Sequence, residues 1–259
     1  MVEPARWQSV GPIHVDALAK ARSEAINLVQ WLARIANSFV TADTADTAEE
    51  RIALGFRPTD AAFVTKTFAR DLSLELRLPR LEMQFREGER AVPHIFDPEE
   101  RSPAEVEAWL LVELLHRGVD RAKFSKKLPY KIPGLMTGDA EDHSPQSHLP
   151  ALTQIMIWFR NAAAVLDDVA RATGGDAGDT ICWPQTLTLS SKLKMGSALI
   201  DIGFTPGDAR IPEPYFYRNL PTAKGAATGK AQSVLTASAL LAKAEPAAAA
   251  IAFLKGSPG

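Results

Sequence analysis

Residues 85–96 read FREGERAVPHIF, and 119 positions further on residues 204–215 read FTPGDARIPEPY. Aligned at that offset, Phe85 meets Phe204, Gly88 meets Gly207 and Pro93 meets Pro212. Leu81, Glu82, Met83, Glu89, Val92 and Phe96 meet Ile200, Asp201, Ile202, Asp208, Ile211 and Tyr215, all conservative exchanges. A chain that writes one strand-and-turn phrase twice is restricted to folds in which one supersecondary unit occurs twice. The helical stretches VQWLARIAN and MIWFRNAAA add a second match, pairing Trp31 with Trp158. The reading that follows is an α+β fold: a single globular domain of two helix, β-meander, helix repeats with antiparallel sheets. The repeats cover about residues 12–118 and 150–256, with residues 119–149 as connector, and are expected to meet about a pseudo-two-fold axis. The competing explanation is that hairpin ends reuse Gly and Pro for turn geometry.

The periodicities support that order. Val15, Leu18, Ala25, Val29, Leu32, Ala36 and Phe39 recur on one helical face, which predicts a long amphipathic helix. Leu72, Leu74, Leu76 and Leu78 alternate with polar residues, and Leu81, Met83 and Phe85 repeat the alternation beyond Pro79, predicting two antiparallel strands. Ser102, Pro103 and Glu105 form a capping-box start and Gly118 a stop for another helix. Leu152, Ile155, Met156, Phe159, Ala163, Leu166 and Ala170 form a further stripe ended by Gly174 and Gly175. Strand-length runs follow at 180–190, 198–204 and 214–220, and Pro246 opens a last helix closed by Gly256. The polar run 41–50 and the Pro- and Gly-rich stretch 119–150 read as surface connections.

In the second half, IPGLMTGDAEDH (132–143), GFTPGDARIPEPYFY (203–217) and EPAAAAIAFLKGS (245–257) carry a resemblance. Over roughly residues 100–257 the chain resembles an uncharacterised bacterial family catalogued as domain of unknown function 5996. The resemblance implies a single α+β unit and carries nothing about activity.

Composition removes several function classes. A formal net charge of −2 offers no field for nucleic acid or an anionic membrane. The single cysteine, Cys182, excludes an internal disulfide and any multi-thiolate metal centre; flanked by Ile181 and Trp183, it reads as a small buried hydrophobe. No run of 18 uncharged apolar residues occurs, and a cytoplasmic location is expected. Phosphate loops, nucleophile elbows and zinc-protease helices are missing from the sequence. No cofactor and no metal site is expected; the cluster Asp139, Glu141, Asp142, His143, His148 reads as a polar loop.

Three classes of function remain. The first is a protein that binds a small molecule in a crevice between its repeats, with Trp183, Tyr215, Tyr217 and Lys127 as lining residues. The second is an enzyme in which His94, Glu213 or His143 acts as acid or base; His94 and Glu213 occupy the same repeat position and would face one another across an axis. The third is a protein-interaction module using the basic run Arg117, Arg121, Lys123, Lys126, Lys127 and Lys131. A small-molecule ligand is the expected partner, and the sequence names no protein partner.

Overall fold

The structure is a computed structural model that describes residues 7–41, 47–174, 178–195, 198–219 and 232–256. It is an α+β fold. Helix α1 (Val15–Phe39) and a one-turn helix α2 (Ala48–Ile52) lead into five strands: β1 (Gly55–Arg57), β2 (Ala62–Val64), β3 (Leu72–Arg77), β4 (Glu82–Glu87) and β5 (Arg90–Phe96). Helix α3 (Pro103–His116) closes this half. After the connector come α4 (Leu149–Ala172), then β6 (Ile181–Trp183), β7 (Thr188–Met195), β8 (Ala198–Thr205), β9 (Tyr215–Asn219) and β10 (Gln232–Thr236), and the closing helices α5 (Ala237–Leu241) and α6 (Pro246–Lys255). Each set of five strands forms an antiparallel meander in chain order.

The local signals act as chemistry demands. Ser102 accepts from the Glu105 amide while the Glu105 carboxylate accepts from the Ser102 amide, which starts α3. Gly256, in the left-handed region at φ 72°, ends α6. Thr47 and Glu50 form a second capping box, which the polar run 41–50 did not advertise; residues 42–46 and Gly175 lie outside the described residues. With its preceding turn, α4 is long and apolar enough to cross a bilayer, the one such helix among the described residues. Half of that apolar window is buried here, and α4 packs on α1, α6, β7 and β8.

The two meanders meet at their first strands. Leu54, just before β1, and Cys182 in β6 exchange both backbone hydrogen bonds, at 2.9 and 2.7 Å. Above this junction α1 packs on α4, α1 on β3, and α4 on β7 and β8. One apolar cluster therefore runs through both halves, with Phe159 of α4 in contact with Phe56, Phe63 and Phe204.

The repeated phrase does not mark equivalent places. Gly55 and Ile181, Ala62 and Thr188, and Leu72 and Ala198 open the first three strands of the two meanders, each pair 126 residues apart. This is within one residue of the Trp31–Trp158 spacing of 127. The offset of 119 instead lays β4, the fourth strand of its meander, over β8, the third of its own. Gly88 sits in the two-residue turn between the paired residues Glu87 and Arg90, whereas Gly207 opens the long 206–214 loop before β9. Both stretches use Gly to leave a strand, which is turn chemistry. The helix-plus-meander order, not the phrase, is what recurs.

Candidate functional site

Every residue of α1 from Asn27 to Ala36 is buried, because the helix is covered on several sides at once. That leaves its polar positions without water. Glu24, Asn27, Gln30, Arg34 and Asn37 follow one another at intervals of three and four and so share a face. The connector runs antiparallel along this face and supplies the missing partners. Asn37 donates to the Lys127 carbonyl at 3.0 Å, and Ser38 accepts from the Ser125 amide at 2.9 Å. The Tyr130 hydroxyl donates to Gln30 at 2.7 Å, and Asn27 accepts from the Met136 amide at 2.8 Å. Glu24 accepts from the Ser144 amide and lies 2.9 Å from Nδ1 of His143. The stretch expected to be a connector is one, and it is strapped to α1 by side-chain bonds where periodicity is lacking.

Arg34 is the exception on this stripe. It is 6% exposed, its guanidinium lies 4.2 Å from the centre of the Trp31 ring, and its Nε has no hydrogen-bond partner among the described residues. No carboxylate pairs with it among the described ion pairs, and its pKa is pulled below the usual arginine value by burial, an effect that the negative charge of nearby Glu107 opposes. At neutral pH it remains a cation. A cavity of about 370 Å³ opens beside it, lined by Trp31 and Arg34 from α1, Pro103 and Glu107 from the start of α3, and Lys126 and Met136 from the strap. Lys126 and Glu107 pair with each other across the cavity wall at 3.0 Å. The net charge of the lining is therefore positive, with an indole and a thioether as apolar walls, and the N-terminus of α3 adds its partial positive charge.

Of the ligand-lining residues expected from the sequence, Tyr215 and Tyr217 share one face of β9, while Trp183 lies on β6 and Lys127 on the strap. Among the described residues no hydrogen bond or aromatic contact joins Trp183, Tyr215, Tyr217 and Lys127. Lys127 belongs to the strap, its carbonyl held by Asn37. Trp183 is half-buried in β6. Tyr215 is buried, and its hydroxyl donates to Asp208 at 2.6 Å. The Tyr217 ring covers Gly203, where a Cβ would come 2.6 Å from the tyrosine oxygen and 2.1 Å from the Leu189 carbonyl. His94 and Glu213 do not face each other. His94 leans on Glu113, 3.1 Å away, and Glu213 accepts from the backbone and hydroxyl of Ser238 at the start of α5. Their shared repeat position came from the 119-residue offset, which joins a strand to a loop.

His143 has an acid–base partner in Glu24, yet it is 1% exposed, its Nε2 has no hydrogen-bond partner among the described residues, and it does not line the Arg34 cavity. In the basic run, Arg117 and Lys126 already pair with Glu113 and Glu107. Cys182 is fully buried, with its thiol pKa driven up by desolvation, and holds the sheet junction through its backbone. A crevice between the halves does exist beside Phe56, Arg160 and Asp179, with a volume of about 540 Å³. Its arginine is engaged by the carbonyls of Pro58 and Thr59.

Compared with models of protein families, with curated proteins and with solved structures, the chain matches none.

Proposed function

We propose that this protein binds a small organic anion, a carboxylate or phosphate monoester carrying a flat apolar body, in the cavity between α1, α3 and the strap. The observation that carries the proposal is Arg34: a buried, stacked guanidinium with no carboxylate partner, bordering an accessible cavity. Burying a cation without a partner is costly, and the cost is recovered when an anion enters and accepts from the planar fork. Trp31 offers the apolar face, and the volume suits a ligand of metabolite size. In this reading the ligand sits between the first half and the strap, and the crevice between the halves is secondary. Membership of domain of unknown function 5996 and a cytoplasmic setting remain parts of the proposal, supported by the sequence phrases and by the single, buried cysteine.

The test is calorimetric titration of phenyl phosphate and of benzoate into the wild type and into Arg34→Met. Saturable binding of either anion is expected in the wild type, weakened about 30-fold or more in Arg34→Met, as loss of a charge-assisted hydrogen-bond pair worth about 2 kcal/mol implies. The variant should melt no lower than the wild type without ligand, because it replaces an unpaired buried charge by an apolar chain of similar reach. Equal binding in both proteins, or none in either, overturns the proposal.

A further inference from the structure

Away from the Arg34 cavity, His94 on β5 and Glu113 and His116 on α3 converge. Their ligand atoms all lie within 4.8 Å of one another, the one group of three histidine, cysteine or acidic side chains so placed among the described residues. Glu113 and His116 are three apart on the last turns of α3, so they share a face, and β5 brings His94 to the same spot. Glu113 is the fixed member. Its side chain is 4% exposed, and Oε2 accepts from the Arg117 guanidinium at 2.6 Å, which orients the carboxylate and leaves Oε1 toward the histidines. Nδ1 of His94 lies 3.1 Å and Nδ1 of His116 lies 3.9 Å from that same oxygen.

One hydrogen bond accounts for one imidazole. A second imidazole nitrogen, that of His116, stands 3.9 Å from the same oxygen, beyond hydrogen-bonding reach and placed there by the helix spacing. We propose that these three side chains form a binding site for a divalent transition-metal ion of the zinc class. Two imidazole nitrogens and one carboxylate oxygen are the donors such ions prefer, and nitrogen donors disfavour magnesium and calcium. Bond lengths of about 2.0–2.2 Å around a tetrahedral ion put neighbouring ligand atoms roughly 3.4 Å apart. The observed 3.1 and 3.9 Å bracket that value. Both histidine side chains are more than half exposed, so small rotations of their rings complete the geometry while the carboxylate stays in place.

Three protein ligands leave at least one position open. His116 and Arg117 also line an open pocket of about 580 Å³ between the end of α3 and the strands β3 and β4, together with Arg70 and Glu87. Arg117 has two effects. It positions the carboxylate as an outer partner does in metal sites. Its charge also repels the ion, so affinity falls below that of closed structural zinc sites. A bound ion would tie α3 to the free edge strand β5.

The test is titration of zinc chloride into the full chain, free of any histidine tag and stripped beforehand with a chelator, followed by calorimetry. One zinc per chain is expected, with affinity reduced tenfold or more in His94→Ala and in His116→Ala; His148→Ala serves as the control that keeps wild-type affinity. Because both histidines are exposed, these variants should keep the wild-type melting temperature. Cobalt in place of zinc supplies a second readout: visible absorption bands of a low-coordinate ion, lost in His94→Ala. The proposal is overturned by the lack of a saturable zinc site, or by binding that is unchanged in both histidine variants. Arg34→Met should leave zinc binding intact, which keeps this site separate from the anion cavity.

Discussion

Asp208 receives three hydrogen bonds, from the Tyr215 hydroxyl at 2.6 Å and from the amides of Arg210 and Ile211 at 2.7 and 2.8 Å. Burial pushes its pKa up, but these bonds, with the nearby charge of Arg210, outweigh burial and hold it below the usual aspartate range. A carboxylate whose folded pKa is depressed adds stability above its unfolded pKa, and that stability is lost as pH falls through the folded value. Asp208→Asn should thus cost about 1 kcal/mol at pH 7, with solvent screening keeping it modest. The gap to the wild type should close as the pH falls below about 4, measured as urea midpoints along a pH series. The phrase GFTPGDARIPEPY advertises its Gly and Pro as turn formers, and they are. That the aspartate between them holds a tyrosine from the next strand was not legible, because the bond closes across a loop whose path no periodicity describes. The same holds at Arg34: its place on a polar stripe could be read from spacing, its want of a partner could not.

At the scale of elements, α1 and the strap explain each other. The apolar stripe of α1 was readable because burial against a sheet or helix recurs every three to four residues. Its polar stripe has the same period and is equally visible in the sequence, but a polar stripe ordinarily faces water. Here Gln30, fully buried, donates to the Pro184 carbonyl at 2.8 Å and accepts from Tyr130, so one amide ties α1, the strap and the β6–β7 turn. Gln30→Ala leaves the Tyr130 hydroxyl and the Pro184 carbonyl without those bonds and should cost about 2–4 kcal/mol. It should also loosen the strap. Limited trypsinolysis, which can cut after Lys126, Lys127 and Lys131, should proceed at least several-fold faster in Gln30→Ala than in the wild type under conditions where both are folded. Equal cleavage rates would show that the strap is held by something other than this face of α1.

For the whole molecule, the question is whether two halves with the same element order behave as one body. Equivalent first strands, β1 and β6, meet antiparallel through Leu54 and Cys182, which is the pairing a local two-fold axis requires. Phe159 carries the core across that junction. With a continuous core, unfolding in urea should be one cooperative transition, the same by far-ultraviolet circular dichroism and by fluorescence of tryptophans in both halves, such as Trp109 and Trp183. Separate midpoints would mean that the halves unfold independently. The sequence by itself determined the elements whose burial repeats along the chain: the four long helices, the capping box of α3 and the glycine end of α6, the leucine strands, the α+β class and the recurrence of helix and meander. Those signals are local, since a residue's neighbours at three, four or two positions share its face. The tertiary structure alone decided which strands correspond, that the connector is a strap, that His94 turns to Glu113 rather than Glu213, and that Arg34 stands without a carboxylate. Each of these depends on which distant segment supplies a side chain's partner, and contacts between residues far apart in the chain leave no period to read.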